Sequence, residues 1–266
     1  MVASSAVPLQ SERRNILVVL IALSIAGWIV VLWQAAAEDD HGDMAMGGMD
    51  GGFDLTAGMS APLFLAMWVA MMIGMMFPAS APMIVAFARA QQRKREQGAS
   101  HIPTWLFVAP YMAIWLLFGA AGYGAALAAD AVVADSSALA GDLSRVAAGG
   151  LVVAGLYQLT PLKRVCLAKC RSPMSFMLSY WRDGRVGAVQ LAARHGLYCV
   201  GCCWVLFAVL LPLGVMNVAA MALVAALVFA EKVLPRGERV STVAAIVLIA
   251  YGSFALAVPN ALPTSV

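Results

Sequence analysis

The chain has 266 residues, of which 62% are hydrophobic and only 12% are charged, with a formal net charge of +3. Soluble domains carry about 25% charged residues, so this composition excludes an ordinary soluble protein and indicates an integral membrane protein. Several apolar runs reach the roughly 20 residues that cross a bilayer, without the alternation of a β-barrel. Because the cations lie in short segments between these runs, the charge predicts a lipid bilayer and no nucleic acid as partner.

The predicted fold is therefore all-α: a polytopic membrane protein of about seven transmembrane helices. Lys and Arg concentrate in the N-terminal tail and after the second, fourth and sixth apolar runs. The positive-inside rule then predicts an N-terminus inside and a C-terminus outside. Four segments are predicted: 1–34, a cytoplasmic tail and first helix; 35–60, an extracytoplasmic loop rich in Met, Asp and Gly; 61–258, a six-helix membrane domain; and 259–266, a short tail.

The first loop combines thioethers with carboxylates. Met44, Met46 and Met49 follow His41 in an acidic, glycine-rich stretch. Thioethers are soft ligands that suit Cu(I) and resist the oxidation that thiols suffer outside the cytoplasm, so these methionines are candidates for capturing copper. The alternative is a disordered linker in which methionine is incidental.

The second apolar run carries methionines at helical spacing. Met67, Met71 and Met75 recur every fourth residue, which puts them on one helix face. Met72 and Met76 begin an adjacent stripe. We take Met71, Met72, Met75 and Met76 as candidate metal ligands, because a row of neutral thioethers can carry Cu(I) through lipid. The alternative is that these flexible side chains simply fill core gaps.

Small residues mark the third and fourth runs. Such positions let transmembrane backbones approach one another, so close helix packing is predicted there. The positions are Gly119, Gly122, Gly124, Gly149, Gly150 and Gly155.

All five cysteines fall into two short groups. Cys166 and Cys170 are four residues apart, and Cys199, Cys202 and Cys203 share a helical stripe with His195. Thiolate and imidazole ligands suit Cu(I), zinc or an iron–sulfur centre. The alternatives are buried cysteines that act as small hydrophobes and a histidine that snorkels to the membrane interface.

Cations accompany both groups of cysteines, which we predict near the cytoplasmic face. Lys163, Arg164, Lys169, Arg171 and Arg194 are expected to offset thiolate charge. Glu231 and Lys232 are read as an interfacial anchor pair at a helix end.

Three motifs resemble one bacterial family. They are Trp68-Val69-Ala70-Met71-Met72 with Met76-Phe77-Pro78-Ala79-Ser80-Ala81-Pro82-Met83; Cys166-Leu167-Ala168-Lys169-Cys170-Arg171-Ser172-Pro173; and His195-Gly196-Leu197-Tyr198-Cys199-Val200-Gly201-Cys202-Cys203-Trp204, followed by Gly214-Val215-Met216-Asn217 and Glu231-Lys232. Over most of residues 60–235 the chain resembles the predicted metal-binding integral membrane proteins, a domain of unknown function. The resemblance implies a bacterial inner-membrane location and metal binding, and it supplies no substrate.

The resulting hypothesis is a membrane protein that binds Cu(I) and moves or delivers it, with zinc as the alternative metal. Copper would pass from the outer loop along the methionine face to the cysteines. A membrane metalloenzyme or a copper chaperone is the expected partner, and the oligomeric state stays open. One rival is an assembly factor or subunit of a membrane metalloenzyme. The other is a thiol–disulfide relay through Cys166/Cys170 and Cys202/Cys203, although we favour a protein that is not an enzyme and predict no catalytic residue.

Overall fold

The computed structural model describes residues 6–42, 59–135, 143–210 and 217–258, and in these ranges every regular element is an α-helix. The predicted all-α, multi-helix membrane fold is confirmed. In chain order the helices are α1 Ala6–Gly42, α2 Ala61–Glu96, α3 Trp105–Asp135, α4 Leu143–Gln158, α5 Pro161–Arg171, α6 Pro173–Tyr180, α7 Gly184–Ala208, α8 Val218–Val233 and α9 Gly237–Ala257.

Five helices within the described ranges are long and apolar enough to cross a membrane: α1, α2, α3, α7 and α9. A sixth span results if α4 and α5, which meet at a bend of 65°, are counted together. Helix α8 has 16 residues, about 24 Å at 1.5 Å per residue, which falls short of a hydrocarbon core of about 30 Å. The count of seven and the orientation therefore stay predictions.

Two segments that we expected to be loops contain helix. Residues 35–42 continue α1, in keeping with the high helix propensity of Ala35-Ala36-Ala37-Glu38. The basic segment after residue 160 forms α5 and α6, each of which begins with a proline. Proline at the first helical position costs no hydrogen bond, and the Thr160 side chain accepts the backbone N–H of Lys163 at 3.3 Å.

Glycine residues lie where the backbones of two paired helices come close together. A Cβ atom on Gly27 of α1 would lie 2.6 Å from the Ala70 carbonyl of α2. A Cβ atom on Gly155 of α4 would lie 2.6 Å from Ile249 of α9. These distances are too short for any side chain, so glycine permits both helix contacts.

A hydrogen bond between helices replaces one that proline removes from α2. Pro78 has no N–H to donate to the carbonyl of Gly74, four residues earlier. The Ser24 hydroxyl of α1 donates to that carbonyl at 2.5 Å. Helix α2 therefore continues through Pro78 while it packs against α1.

Helices α2, α3, α5, α7 and α8 surround the larger core, which contains the aromatic side chains of Phe107, Tyr111, Trp115 and Phe207. At one end of this core, Lys94 of α2 forms an ion pair with Asp183, the residue before α7. The hydrogen bond from Lys94 holds the pKa of the Asp183 carboxyl below its ordinary value. The pair ties the C-terminal end of α2 to the start of α7.

Candidate metal site

Helix α7 carries His195, Cys199, Cys202 and Cys203, and all four are at most 2% exposed. Their common burial agrees with the helical stripe predicted from their spacing. The thiols of Cys202 and Cys203 contact the carbonyl oxygen of Cys199 at 3.1 and 2.8 Å, so local hydrogen bonds orient both side chains.

The ammonium group of Lys232 on α8 lies among three sulfur atoms. Its Nζ is 2.8 Å from Cys199 Sγ, 3.9 Å from Cys203 Sγ and 3.8 Å from Met76 Sδ of α2. We call these four residues the Lys232 site. Lys232 is only 7% exposed, and a buried ammonium is costly unless a negative charge or hydrogen bonds compensate it. A thiolate at Cys199 would supply that charge.

Tyr111 of α3 lies beside the Lys232 site, and its hydroxyl is 3.1 Å from Cys199 Sγ. Tyr111 is fully buried. The sequence analysis did not identify it, since one tyrosine in an apolar run has no distinguishing spacing. Three helices besides α7 thus bring a polar or sulfur atom to Cys199 or to the lysine that it contacts.

Our interpretation of Glu231 and Lys232 as an interfacial anchor pair is wrong. Glu231 is 1% exposed and pairs with Lys163 of α5 at 2.7 Å, while Gln158 donates to it at 3.2 Å. Successive helix residues point about 100° apart, which is how Glu231 contacts α4 and α5 while Lys232 reaches α7. Lys163, which we expected beside the thiolates, contacts Glu231.

The cysteines of α5 lie against α7. The Cys170 thiol is close enough to those of Cys199 and Cys202 to interact electrostatically with both. Cys166 lies against the backbone of α7, where a Cβ atom on Gly201 would be 2.9 Å from its sulfur. The fold therefore brings the two cysteine groups together, with Cys170 closer to the Lys232 site.

The described ranges contain no set of three or more His, Cys, Asp or Glu side chains arranged to hold a metal ion. A closed tetrahedral zinc site needs four such ligands, and the residues do not fit one. Cu(I) favours soft thiolate and thioether sulfur, and the thioether of Met76 lies outside that count. The sulfur atoms at the Lys232 site are donors of this soft kind.

Among the described residues, neither ring nitrogen of His195 has a hydrogen-bond partner. Its ring packs against those of Tyr111 and Phe176, both at 5.5 Å between centroids, and of Phe107 at 6.1 Å. The alternative of a histidine that snorkels to the interface does not hold, because the imidazole is enclosed by aromatic side chains. Tyr111, against which the imidazole packs, also contacts Cys199.

The methionines of α2 separate into two environments. Met76 belongs to the Lys232 site, and Met72 is also fully buried. Met71 and Met75 face α1 and α8, where Met71 lines an apolar cavity. Met44, Met46 and Met49 lie outside the described residues.

Comparison with protein families gives a match over most of the chain. A family model described as PpoB2, copper chaperone, matches residues 65–255, which is most of the chain and includes every candidate ligand on α2, α5 and α7. This match agrees with the resemblance to a metal-binding membrane family. No curated protein and no solved structure matches the chain.

Proposed function

We propose, since the chain belongs to the PpoB2 copper chaperone family, that it binds Cu(I) within the membrane at the Lys232 site and passes it to another protein. The family description supports a copper-related role. The choice of Cu(I), the ligands and the transfer are our inference.

One observation carries this proposal: a buried cation already lies in contact with three soft sulfur atoms. Lys232 Nζ contacts two cysteine sulfurs and one methionine sulfur from two helices. Because these sulfurs already converge on one ammonium group, they can close in on a smaller monovalent metal ion that takes its place. Thiolate and thioether ligands select Cu(I) over harder cations.

The charges at the site also suit a monovalent metal. Cu(I) bound by the thiolates of Cys199 and Cys203 carries a net charge of −1, and uncompensated charge is costly at membrane depth. The ammonium of Lys232 would move off the sulfurs on copper binding and remain beside them, which makes the loaded site neutral overall. Lys232 then acts as a counter-charge and not as a ligand.

Neighbouring thiols provide a route for release. Cys170 is close enough to Cys199 and Cys202 to interact electrostatically with both, and the sulfurs of Cys202 and Cys203 are 3.9 Å apart. Cu(I) could move by exchanging one thiolate ligand at a time, so that it stays coordinated by sulfur throughout the transfer. This arrangement suits transfer to a partner such as a membrane metalloenzyme, and it also supports the assembly-factor form of the hypothesis.

Copper titration of cysteine variants tests the proposal. We expect anaerobically purified wild-type protein to retain tightly bound Cu(I) against a competing Cu(I) chelator. The double variant Cys199→Ser, Cys203→Ser should lose this binding, because it removes both thiolates of the Lys232 site. Cys166→Ser is the matched control, since Cys166 is also buried but contacts the α7 backbone at Gly201. Tight binding that survives in the double variant would overturn the proposal.

A further inference from the structure

Four methionine side chains from three parts of the chain line one apolar cavity. The lining residues are Val31, Met59, Phe64, Met67, Trp68, Met71 and Met221. Two of the methionines are on α2, Met221 is on α8, and Met59 precedes α2. Sequence spacing can relate Met67 to Met71, but only the fold brings Met59 and Met221 to them.

The cavity has the size and chemistry for one soft ion. Its volume is about 20 Å³, slightly above the 10–15 Å³ that one water molecule requires. Of the residues that the structure describes, no charged side chain lines it, and an apolar cavity of this kind stays dry. A strongly hydrated cation would gain no replacement for its water there, whereas Cu(I) is stabilised by thioether sulfur. The aromatic rings of Phe64 and Trp68 further favour a cation.

Hydrogen bonds hold two walls of the cavity in place. The indole of Trp68 donates to the carbonyl of Trp115 at 2.8 Å. The hydroxyl of Tyr123 donates to the carbonyl of Met59 at 3.2 Å. Met59, Met71 and Met221 are at most 6% exposed. The methionines are therefore positioned by α3 as well as by their own segments.

We propose that Met59, Met67, Met71 and Met221 form a second Cu(I) site, which supplies copper to the Lys232 site. This inference rests on the proposed function. Four neutral thioethers leave the positive charge of Cu(I) uncompensated, so binding is weaker than at the thiolates of Cys199 and Cys203. Transfer from a weaker site to a stronger one is thermodynamically favourable. The weaker site also releases copper readily, which a transfer path requires.

The fold provides a connection between the two sites. Met221 and Lys232 are eleven residues apart on α8, which is about 16 Å along the helix. Met71 and Met221 also line a narrower void with Met75. Fully buried Met72 and Met76 lie on the neighbouring stripe of α2, and Met76 contacts Lys232. Thioethers therefore line the interval from the cavity to the cysteines.

Methyl NMR of protein labelled with carbon-13 at the methionine methyl groups tests the second site directly. One equivalent of Cu(I), added anaerobically, should be taken up at the cysteines and should leave the signals of Met59 and Met221 unchanged. A second equivalent should shift the signals of the four cavity methionines. Met83 and Met177 are the controls, since both are buried and neither lines the cavity. Uniform shifts, or none at the cavity methionines, would overturn this inference.

Paired variants separate this inference from the proposed function. Met59→Leu with Met221→Leu removes two sulfurs at nearly constant volume, so the variant should fold normally. We expect it to weaken binding of the second equivalent at least tenfold and to leave the first unchanged. Met83→Leu with Met177→Leu should change neither. If the first equivalent fails to bind at the cysteines while the cavity signals still shift, the proposed function and the supply role both fail, and only Cu(I) binding at the cavity stands.

Discussion

At the scale of single residues, Lys232 is the least expected feature of the site. A lysine after a glutamate at the end of an apolar run is typical of a membrane-interface anchor. The fold instead buries it against Cys199, Cys203 and Met76. If its charge balances a loaded Cu(I) site, then that charge matters more than any direct contact with the metal.

Replacing Lys232 tests this role. Lys232→Leu removes the ammonium without adding a sulfur ligand, and it leaves a bis-thiolate Cu(I) site with an uncompensated charge of −1 in the membrane. We expect it to weaken Cu(I) binding at least tenfold, about 1.4 kcal/mol, as measured by chelator competition. Lys169→Leu is the control, because Lys169 lies over the ring of Tyr180, 5.7 Å from its centroid. Equal affinity of Lys232→Leu and wild type would contradict a counter-charge role.

Residue spacing predicted part of the candidate site and missed the rest for a physical reason. The period of a helix places Cys199, Cys202 and Cys203 on one face, and all three are buried there. Spacing within one helix carries no information about Tyr111 or Lys232, because both reach Cys199 from other helices. Contacts between helices depend on how the helices pack, and residue spacing within one helix does not predict that packing.

At the scale of helices, glycine decides where pairs approach closely. Of the six glycines singled out in α3 and α4, Gly119 and Gly155 meet a neighbouring helix, with Trp68 and Ile249 as their respective contacts. A Cβ atom at any of the other four would meet no described residue of another helix within 4 Å. A small residue in a transmembrane sequence therefore indicates a packing site only when another helix lies opposite.

Alanine substitutions on α4 test this distinction. Gly155→Ala would bring a Cβ atom to 2.9 Å from the backbone oxygen of Ala245 and closer still to Ile249. We expect it to lower the free energy of unfolding in detergent by about 1–3 kcal/mol, as overpacking does. Gly150→Ala, on the same helix, should be neutral or stabilise by up to about 1 kcal/mol, since alanine has the higher helix propensity. Equal stabilities of the two variants would contradict the close α4–α9 contact.

The methionines of α2 show what helix periodicity can predict and what it cannot. It separates the residues into two stripes, and the fold gives these stripes different surroundings: Met67 and Met71 at the apolar cavity, Met76 at Lys232. The periodicity could not indicate which stripe faces the cysteines. That choice follows from how α2 packs between α1 and α8.

At the scale of the whole molecule, composition alone predicts an all-α membrane protein, and the structure agrees. A helix that crosses a bilayer must be long and apolar. The presence of membrane helices is therefore the structural property that a sequence predicts most readily. The number of crossings is harder, because α4 and α8 have 16 residues each and α4 bends into α5.

The location of the C-terminus tests the number of crossings. With the N-terminus inside, seven spans leave the C-terminus outside, whereas six leave it inside. We predict seven spans from the distribution of Lys and Arg, so a reporter fused after Val266 should be active outside. Reporters after Gln97 and Gly184 should both be active inside. A C-terminal reporter that is active inside would show that one of the short helices does not cross.

The central claim is that Cu(I) binds Cys199, Cys203 and Met76 with Lys232 as the counter-charge. X-ray absorption at the copper edge, on anaerobic protein loaded with one equivalent of Cu(I), tests it most directly because it counts and identifies the bound atoms. We expect three sulfur neighbours in the wild type and two in Met76→Leu, with no nitrogen neighbour. A nitrogen or oxygen neighbour, or a spectrum that Met76→Leu leaves unchanged, would contradict the account.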